Sequence, residues 1–325
     1  MIILNEREMW QAVTLEDVMG AIEKAFDMHR RGDYLMPDRF IAQKEKDMML
    51  YMPCFSSEYV GTKMLAEFPE NPKKGLPYLS GLMILNDGET GQPKAIMNGS
   101  VLTAMRTGAV GGVGAKYLSR TDCKSVGLIG CGVQGLHQIM YVCSVRPIKD
   151  VYLYDAFNKN LEGFIERLCN KLNNDEIQIH VCENSDEVVK HSDILVSATQ
   201  ATNPVYSNDP ELLKGKCFIA IGSWRPERRE LPDAIYSLIK NVYTELPYAC
   251  EETGDLRIPL ETGVLKQEDV KYMEDLIHDV KNGNAHEHNE TTFFKSVGMG
   301  LFDLCAAQLV YEKALEKGIG QKIEW

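Results

Sequence analysis

The chain of 325 residues is long enough for about two domains, and its 44% hydrophobic and 25% charged content is that of a globular protein with a sizeable core. A net charge of −12 argues against a nucleic-acid partner, because phosphate-directed binding needs clustered Lys and Arg. Nine scattered cysteines without a C-x-x-C pair, early acids in place of a basic leader, and no apolar run of membrane-spanning length argue against a metal site, a disulfide framework and a membrane partner, so a reduced, cytoplasmic protein is expected.

Residues 14–31 begin with a Thr cap and place Val18, Ile22, Ala25 and Phe26 on one face, which predicts a helix stopped by Gly32. Residues 48–52 and 59–68 read as strands, and 79–85 with 93–97 as a hairpin around a turn rich in Asn, Asp and Gly. Residues 102–119 read as a helix whose four glycines weaken its propensity but let another backbone approach. The first third is thus an α+β unit. Beyond it, strands at 126–129, 151–154, 177–181, 194–198 and 218–221 alternate with helices from about 134, near 160–172 and near 185–191, the pattern of a parallel sheet. Residues 290–318 read as a closing helix, with Leu301, Leu304, Cys305, Leu309 and Ala314 on its apolar face and Gly318 at its end. His286 and His288 flank Glu287 at a spacing unlike the helical zinc pair, so a solvated loop and no metal are expected there.

Residues 125–155 carry the strongest chemical signal. An apolar strand runs into Gly130, Cys131, Gly132, Val133, Gln134 and Gly135, a G-x-G-x-x-G turn opening a helix. The first glycine permits the tight turn, the second lets the backbone approach a pyrophosphate, and the third lets helix and strand pack closely. The helix start offers unpaired N–H groups to the phosphates. Asp155 ends the next strand, where an acid accepts hydrogen bonds from the adenosine ribose hydroxyls, and no arginine follows at 156–159. NAD(H) is therefore expected, with NADH preferred over NADPH.

The phrases GTK at 61–63, LNDGETGQPKAI at 85–96, LTAMRTGA at 102–109, IGCGVQG at 129–135 and FFKSVGMGLFDL at 293–304 form a collinear set. In these the chain resembles the ornithine cyclodeaminase and mu-crystallin family over most of its length. The resemblance implies a homodimer of two-domain chains with an α/β fold. Residues 119–296 would form a Rossmann-type, doubly wound NAD-binding domain. Residues 1–118 and 297–325 would form an α+β domain for substrate binding and dimerisation, completed by the C-terminal helix. It further implies that Arg39, Lys63 and Arg106 hold a substrate carboxylate, with Lys63 and Arg106 the catalytic candidates. The cofactor contacts it carries over are Gly130, Gly132, Val133, Gln134, Gly135, Asp155 and Thr199, with Lys295 and Ser296 near the cofactor.

The residues themselves leave alternatives open. Lys63 lies in a mostly apolar strand and Arg106 near the start of a Gly- and Ala-rich helix, both awkward places for a solvated cation, yet three surface charges or salt-bridge partners would read alike. Thr107 is a plausible phosphate or carboxylate donor, although a helical Thr more often bonds its own backbone. Two positions depart from the cyclodeaminase pattern. Trp224 replaces an aspartate that handles protons at the reacting amine, and Leu50 replaces a glutamate that holds a distal amine. Indole cannot accept a proton at neutral pH, so Trp224 is either a packing residue or the wall of a substrate pocket. Their loss argues against converting ornithine to proline and leaves a simpler reaction, hydride delivery from NADH to the C=N carbon of a small imino acid, or its reversal. Cyclic ketimines such as pyrroline-2-carboxylate are the prime substrates. The rival readings are ornithine or lysine cyclodeamination, alanine-dehydrogenase-like or opine-type chemistry, and a non-enzymatic mu-crystallin-like binding protein.

Overall fold

The computed structural model describes residues 1–284 and 290–324, so His286, Glu287 and His288 lie outside the described residues. The chain divides into two compact units, Met1–Arg106 with Gly298–Trp325, and Thr107–Val297. The sequence reading puts the first boundary at 118/119. The division instead falls inside one uninterrupted helix, because the second half of that helix packs on elements of the second unit.

The first unit opens with β1 (Ile2–Leu4), α1 (Glu6–Ala12) and α2 (Leu15–Arg31). Thr14 and Asp17 form a capping box at the start of α2, and Val18, Ile22, Ala25 and Phe26 are buried along one face. Strands β2 (Phe40–Lys44), β3 (Asp47–Phe55), β4 (Tyr59–Glu67), β5 (Leu79–Asp87) and β6 (Pro93–Asn98) follow as an antiparallel meander. Along β3 the even-numbered residues from Met48 to Cys54 are buried, and along β4 so are Gly61, Lys63 and Leu65. Lys63 therefore points to the inner face, directly opposite Met52.

Next comes α3 (Gly99–Leu118), the helix that crosses the unit boundary. Three of its glycines let side chains, not a backbone, approach: a Cβ at Gly108 would meet Tyr141, one at Gly111 would collide with Gln138, and one at Gly114 with Phe294. In that space the Gln138 amide donates to Thr107 O at 2.8 Å.

The second unit contains β7 (Ser125–Ile129), α4 (Val133–Val145), β8 (Asp150–Tyr154), α5 (Glu162–Leu172), β9 (Gln178–Val181), α6 (Ser185–His191), β10 (Ile194–Ser197), α7 (Pro210–Leu213) and β11 (Cys217–Ala220). It continues through β12 (Val242–Thr244), α8 (Ala249–Glu252), α9 (Gly254–Thr262), β13 (Val270–Tyr272), α10 (Met273–Lys281) and β14 (Thr292–Lys295). Its eight strands lie in the order β13-β12-β14-β11-β10-β7-β8-β9, all parallel. This is the expected Rossmann-type α/β fold. From β7 the chain winds outward through β8 and β9, then returns to β10 on the other flank, so the β7/β10 pair is the switch point where such sheets bind ligands.

Residues 292–295 are not the start of the closing helix but strand β14, buried between β11 and β12. A short apolar run covered on both faces has no period that separates strand from helix. The helix proper, α11 (Gly300–Glu316), begins later, and the chain ends its described part with β15 (Gln321–Lys322) against β1. Leu301, Leu304, Cys305 and Ala314 of α11 are buried and Leu309 is half-buried. The helix packs on α2 and across β3, β4 and β5, closing the inner face that carries Lys63.

Candidate active site

Lys63 is 0% exposed and Arg106 6% exposed, so neither is a surface charge. Both meet Asp303, a fully buried residue near the start of α11. The Lys63 ammonium donates to Asp303 Oδ1 and Oδ2 at 2.9 and 2.8 Å, and Arg106 Nε donates to Oδ1 at 2.9 Å. Asp303 thus grips Arg106 by its Nε edge, and the terminal nitrogens of the guanidinium lie toward Gly298, where a Cβ would come 2.6 Å from Nη1. Arg39 is half-buried and donates from Nη2 to Gly298 O at 3.0 Å. With Lys63 protonated, two buried cations share one anion, which leaves one positive charge in excess. A carboxylate ligand would balance that charge, and Arg is suited to receive one bidentately. Burial, and then the charges of Arg106 and Arg39, bring the Lys63 ammonium down to about 7 against the pull of Asp303. Lys63 can therefore hold or release a proton near neutral pH.

Leu50 lies on the same sheet face, one pair along from Met52, and packs with Met52, Leu65 and Leu79. That part of the inner face is apolar.

In the second unit the glycine-rich turn is built as its sequence requires. Gly130 has φ +97°, and a Cβ there would lie 2.7 Å from Ala198 O. Gly132, the N-cap of α4, has nothing within 4 Å of its would-be Cβ, which leaves open space over the backbone, and Gly135 is buried against β7. No side chain caps α4, Val133 is exposed, and Gln134 Oε1 is buried without a hydrogen-bond partner. Asp155 accepts from the Cys131 N–H at 2.9 Å through Oδ2, and from the Phe157 and Asn158 N–H groups through Oδ1. These features fit a dinucleotide: uncapped amides for phosphate, an open cradle above Gly132, and a carboxylate with acceptor sites to spare. Thr107 lies buried in α3, with its carbonyl taken by Gln138.

Thr199, two residues beyond β10, donates its N–H and hydroxyl to Glu230 Oε1 at 2.7 and 2.8 Å. Lys295, the last residue of β14, is fully buried, 3.2 Å from Asp255 Oδ2 and 4.0 Å from Glu230 Oε2. The shorter distance satisfies an ion pair without the angles of a hydrogen bond. Ser296 donates to buried Glu245 at 3.0 Å. Lys295 and Ser296 are thus engaged with acids of their own unit. Trp224 is half-buried and stacks against the Arg225 guanidinium, 4.7 Å from its ring centroid, in the loop after β11. Among the described residues, no group of three or more His, Cys, Asp or Glu is arranged to hold a metal ion.

The sequence profile of the ornithine cyclodeaminase/mu-crystallin family matches residues 1–318. The chain belongs to this family. A Delta(1)-pyrroline-2-carboxylate reductase of Bacillus cereus is 32% identical over the full length of both chains. Among solved structures, the Thermococcus litoralis Delta(1)-pyrroline-2-carboxylate reductase in complex with NADH and L-proline is 35% identical, covers 99% of this chain and 100% of its own, and superposes with a TM-score of 0.90. An archaeal alanine dehydrogenase dimer with bound NAD is 32% identical, covers 100% and 99%, and has a TM-score of 0.86.

In this member of the family, three acids escape a reading of the sequence. Asp303 stands inside FFKSVGMGLFDL, where one acid within an otherwise apolar helical stretch is the signal that marks it. Glu230 lies in the loop after β11 and Asp255 in the first turn of α9, where an acid reads as an ordinary solvated residue, so no pattern marks either one.

Proposed function

We propose that this chain is an NADH-dependent reductase of small cyclic imino acids, with pyrroline-2-carboxylate as the leading substrate. The observation that carries the reading is the buried Lys63–Asp303–Arg106 cluster, one positive charge in excess, beside an apolar face at Leu50. Such a cluster holds the carboxylate of an imino acid, and nothing beside it holds a second amine. Bound NADH supplies the hydride. Arg106 and Arg39 orient the carboxylate, which is catalysis by positioning. Lys63 holds a proton at Nζ that it can give to the substrate nitrogen in reduction, and as the neutral amine it can take that proton up in the reverse direction. Trp224 stands where a cyclodeaminase needs an acid, so ring closure with ammonia release has no proton carrier there.

Asp155 with no arginine at 156–159 supports preference for NADH over NADPH. We also propose a cytoplasmic homodimer. Edge strand β2 exposes Phe40 and Ile41, and an apolar edge of that kind calls for a cover that a second copy would provide.

The test is NADH consumption with pyrroline-2-carboxylate, piperideine-2-carboxylate, and pyruvate plus ammonia, alongside ammonia release from ornithine. Rapid turnover of a cyclic imine with silence on ornithine is the expected result. Preferential turnover of pyruvate with ammonia would make the chain an alanine dehydrogenase. Proline formed from ornithine would show that Trp224 does not decide the reaction.

A further inference from the structure

We propose that Glu230 is the positioning residue of the dinucleotide end of the parallel sheet, one buried carboxylate that sets the loops after β10 and β11 as a single template for the cofactor. It rests on the reductase reading only for the identity of that cofactor.

Both oxygens of Glu230 are used, and by different loops. Oε1 accepts the Thr199 N–H and hydroxyl at 2.7 and 2.8 Å, and Oε2 accepts the N–H groups of Gly222 and Ser223 at 2.9 and 3.3 Å. Strands β7, β10 and β11 are parallel neighbours, so the segments that follow them leave the same edge of the sheet. The loops are in direct contact. A Cβ at Gly222 would collide with the Thr199 backbone, and one at Gly130 would lie 2.9 Å from Thr199 Cγ2. Thr199 therefore touches both the G-x-G-x-x-G turn and the loop that carries Trp224, and Glu230 holds Thr199.

Glu230 is itself held. Its N–H and that of Leu231 donate to Asp255 Oδ1 at 2.7 and 2.9 Å, from the second residue of α9, and Lys295 supplies the positive charge beside both acids. All three ionisable groups are 0% exposed. Each buried ion carries a desolvation cost. Burial pushes the Glu230 carboxyl up while Lys295 and the Thr199 donors pull it back, and what the carboxylate adds is four donors converging on one rigid acceptor.

The experiment uses the full chain and two readouts that do not need turnover. The first is the Kd for NADH, followed by its fluorescence, in Glu230→Gln. The amide keeps an oxygen for Thr199 but turns an N–H₂ group on Gly222 and Ser223, which also donate, so half of the arrangement is lost. NADH binding is expected to weaken about tenfold or more, as for the loss of charged hydrogen bonds. The KM for the imino acid should stay within about twofold of wild type at saturating NADH, a split that a general loss of structure would not produce. The second readout needs no variant: hydrogen exchange of the wild type with and without NADH. The Thr199, Gly222 and Ser223 amides should gain protection together with the 130–135 turn. An unchanged Kd in folded Glu230→Gln would overturn the inference, and so would protection confined to 130–135. A wild-type protein that binds NADH yet reduces no imino acid would overturn the reductase reading alone.

Discussion

Replacing Asp303 by Asn removes one negative charge and almost no volume from beside Lys63 and Arg106. Three charge-assisted hydrogen bonds of 2.8 to 2.9 Å converge on this side chain, each of a kind that contributes about 1.5–3 kcal/mol. Leaving a buried ion without its partner costs about 3–5 kcal/mol, but Lys63 has a way out. Its ammonium already sits at about 7 with Asp303 pulling it up, so without that anion it gives up its proton sooner. In the fold the Lys63 value lies below its ordinary 10.5, so this group makes the protein less stable below about pH 7, and stability recovers as pH rises from about 7 towards 10.5. The stability deficit of Asp303→Asn should accordingly be greatest in acid and fade in base. Function should suffer more. With Lys63 neutral and Arg106 unanchored, kcat/KM for pyrroline-2-carboxylate at neutral pH should fall about 10- to 100-fold. The wild-type reductase should lose rate as pH rises through about 7, where Lys63 deprotonates. In the variant that limb should move down by about one unit or more. Thermal melts and NADH-coupled rates across the pH range measure both effects. A variant with wild-type kcat/KM and an unmoved limb would remove Asp303 from the site and Lys63 from proton transfer.

Gly111→Ala drives a methyl group into Gln138 and breaks the Gln138–Thr107 hydrogen bond, so stability should drop by about 2 kcal/mol or more; a wild-type melting temperature would contradict the packing described for α3. Arg146 donates to the carbonyls of Ala115, Lys116, Ser119 and Arg120 at 2.7 to 3.1 Å, closing the end of α3. Arg146→Met should cost about 3 kcal/mol or more in denaturant unfolding, and a loss below about 1 kcal/mol would show that water takes over those carbonyls. Asp155→Asn should weaken NADH about tenfold while NADPH changes less, and an unaltered ratio of the two dissociation constants would exclude Asp155 from cofactor choice. Trp224→Asp should depress imine reduction, read by NADH consumption; full reductase activity with no ammonia from ornithine would make Trp224 irrelevant to the reaction.

What the sequence discloses follows the range of the forces involved. The glycine-rich turn is legible because the positive φ of Gly130 and the helix start at Gly132 are set within a few residues of one segment. Helix α2 is legible because its capping box and apolar face lie within one segment. Asp303 is separated from Lys63 by 240 residues and from Arg106 by 197, so its partnership exists only in three dimensions. Strand β1 and the edge strands β2 and β15 leave no trace either: β1 and β15 are three and two residues long, and β2 is exposed throughout, so none carries a readable alternation. The glycines of α3 announce a close approach without naming what approaches, which proves to be Tyr141, Gln138 and Phe294.

Translation delivers the two units in a fixed order. Thr107–Val297 is one continuous stretch, so every strand of its parallel sheet is synthesised before Asp303 exists. The other unit is split, with β1 to β6 made first and α11 and β15 last. A chain ending between residues 298 and 302 carries Lys63 on β4 and Arg106 on α3 without the covering helix or their shared anion. The parallel sheet is thus encoded in full before the residue that pairs the two buried cations. A premature stop codon in that interval separates the two capacities genetically, leaving the parallel sheet intact and the buried cations without their counter-charge.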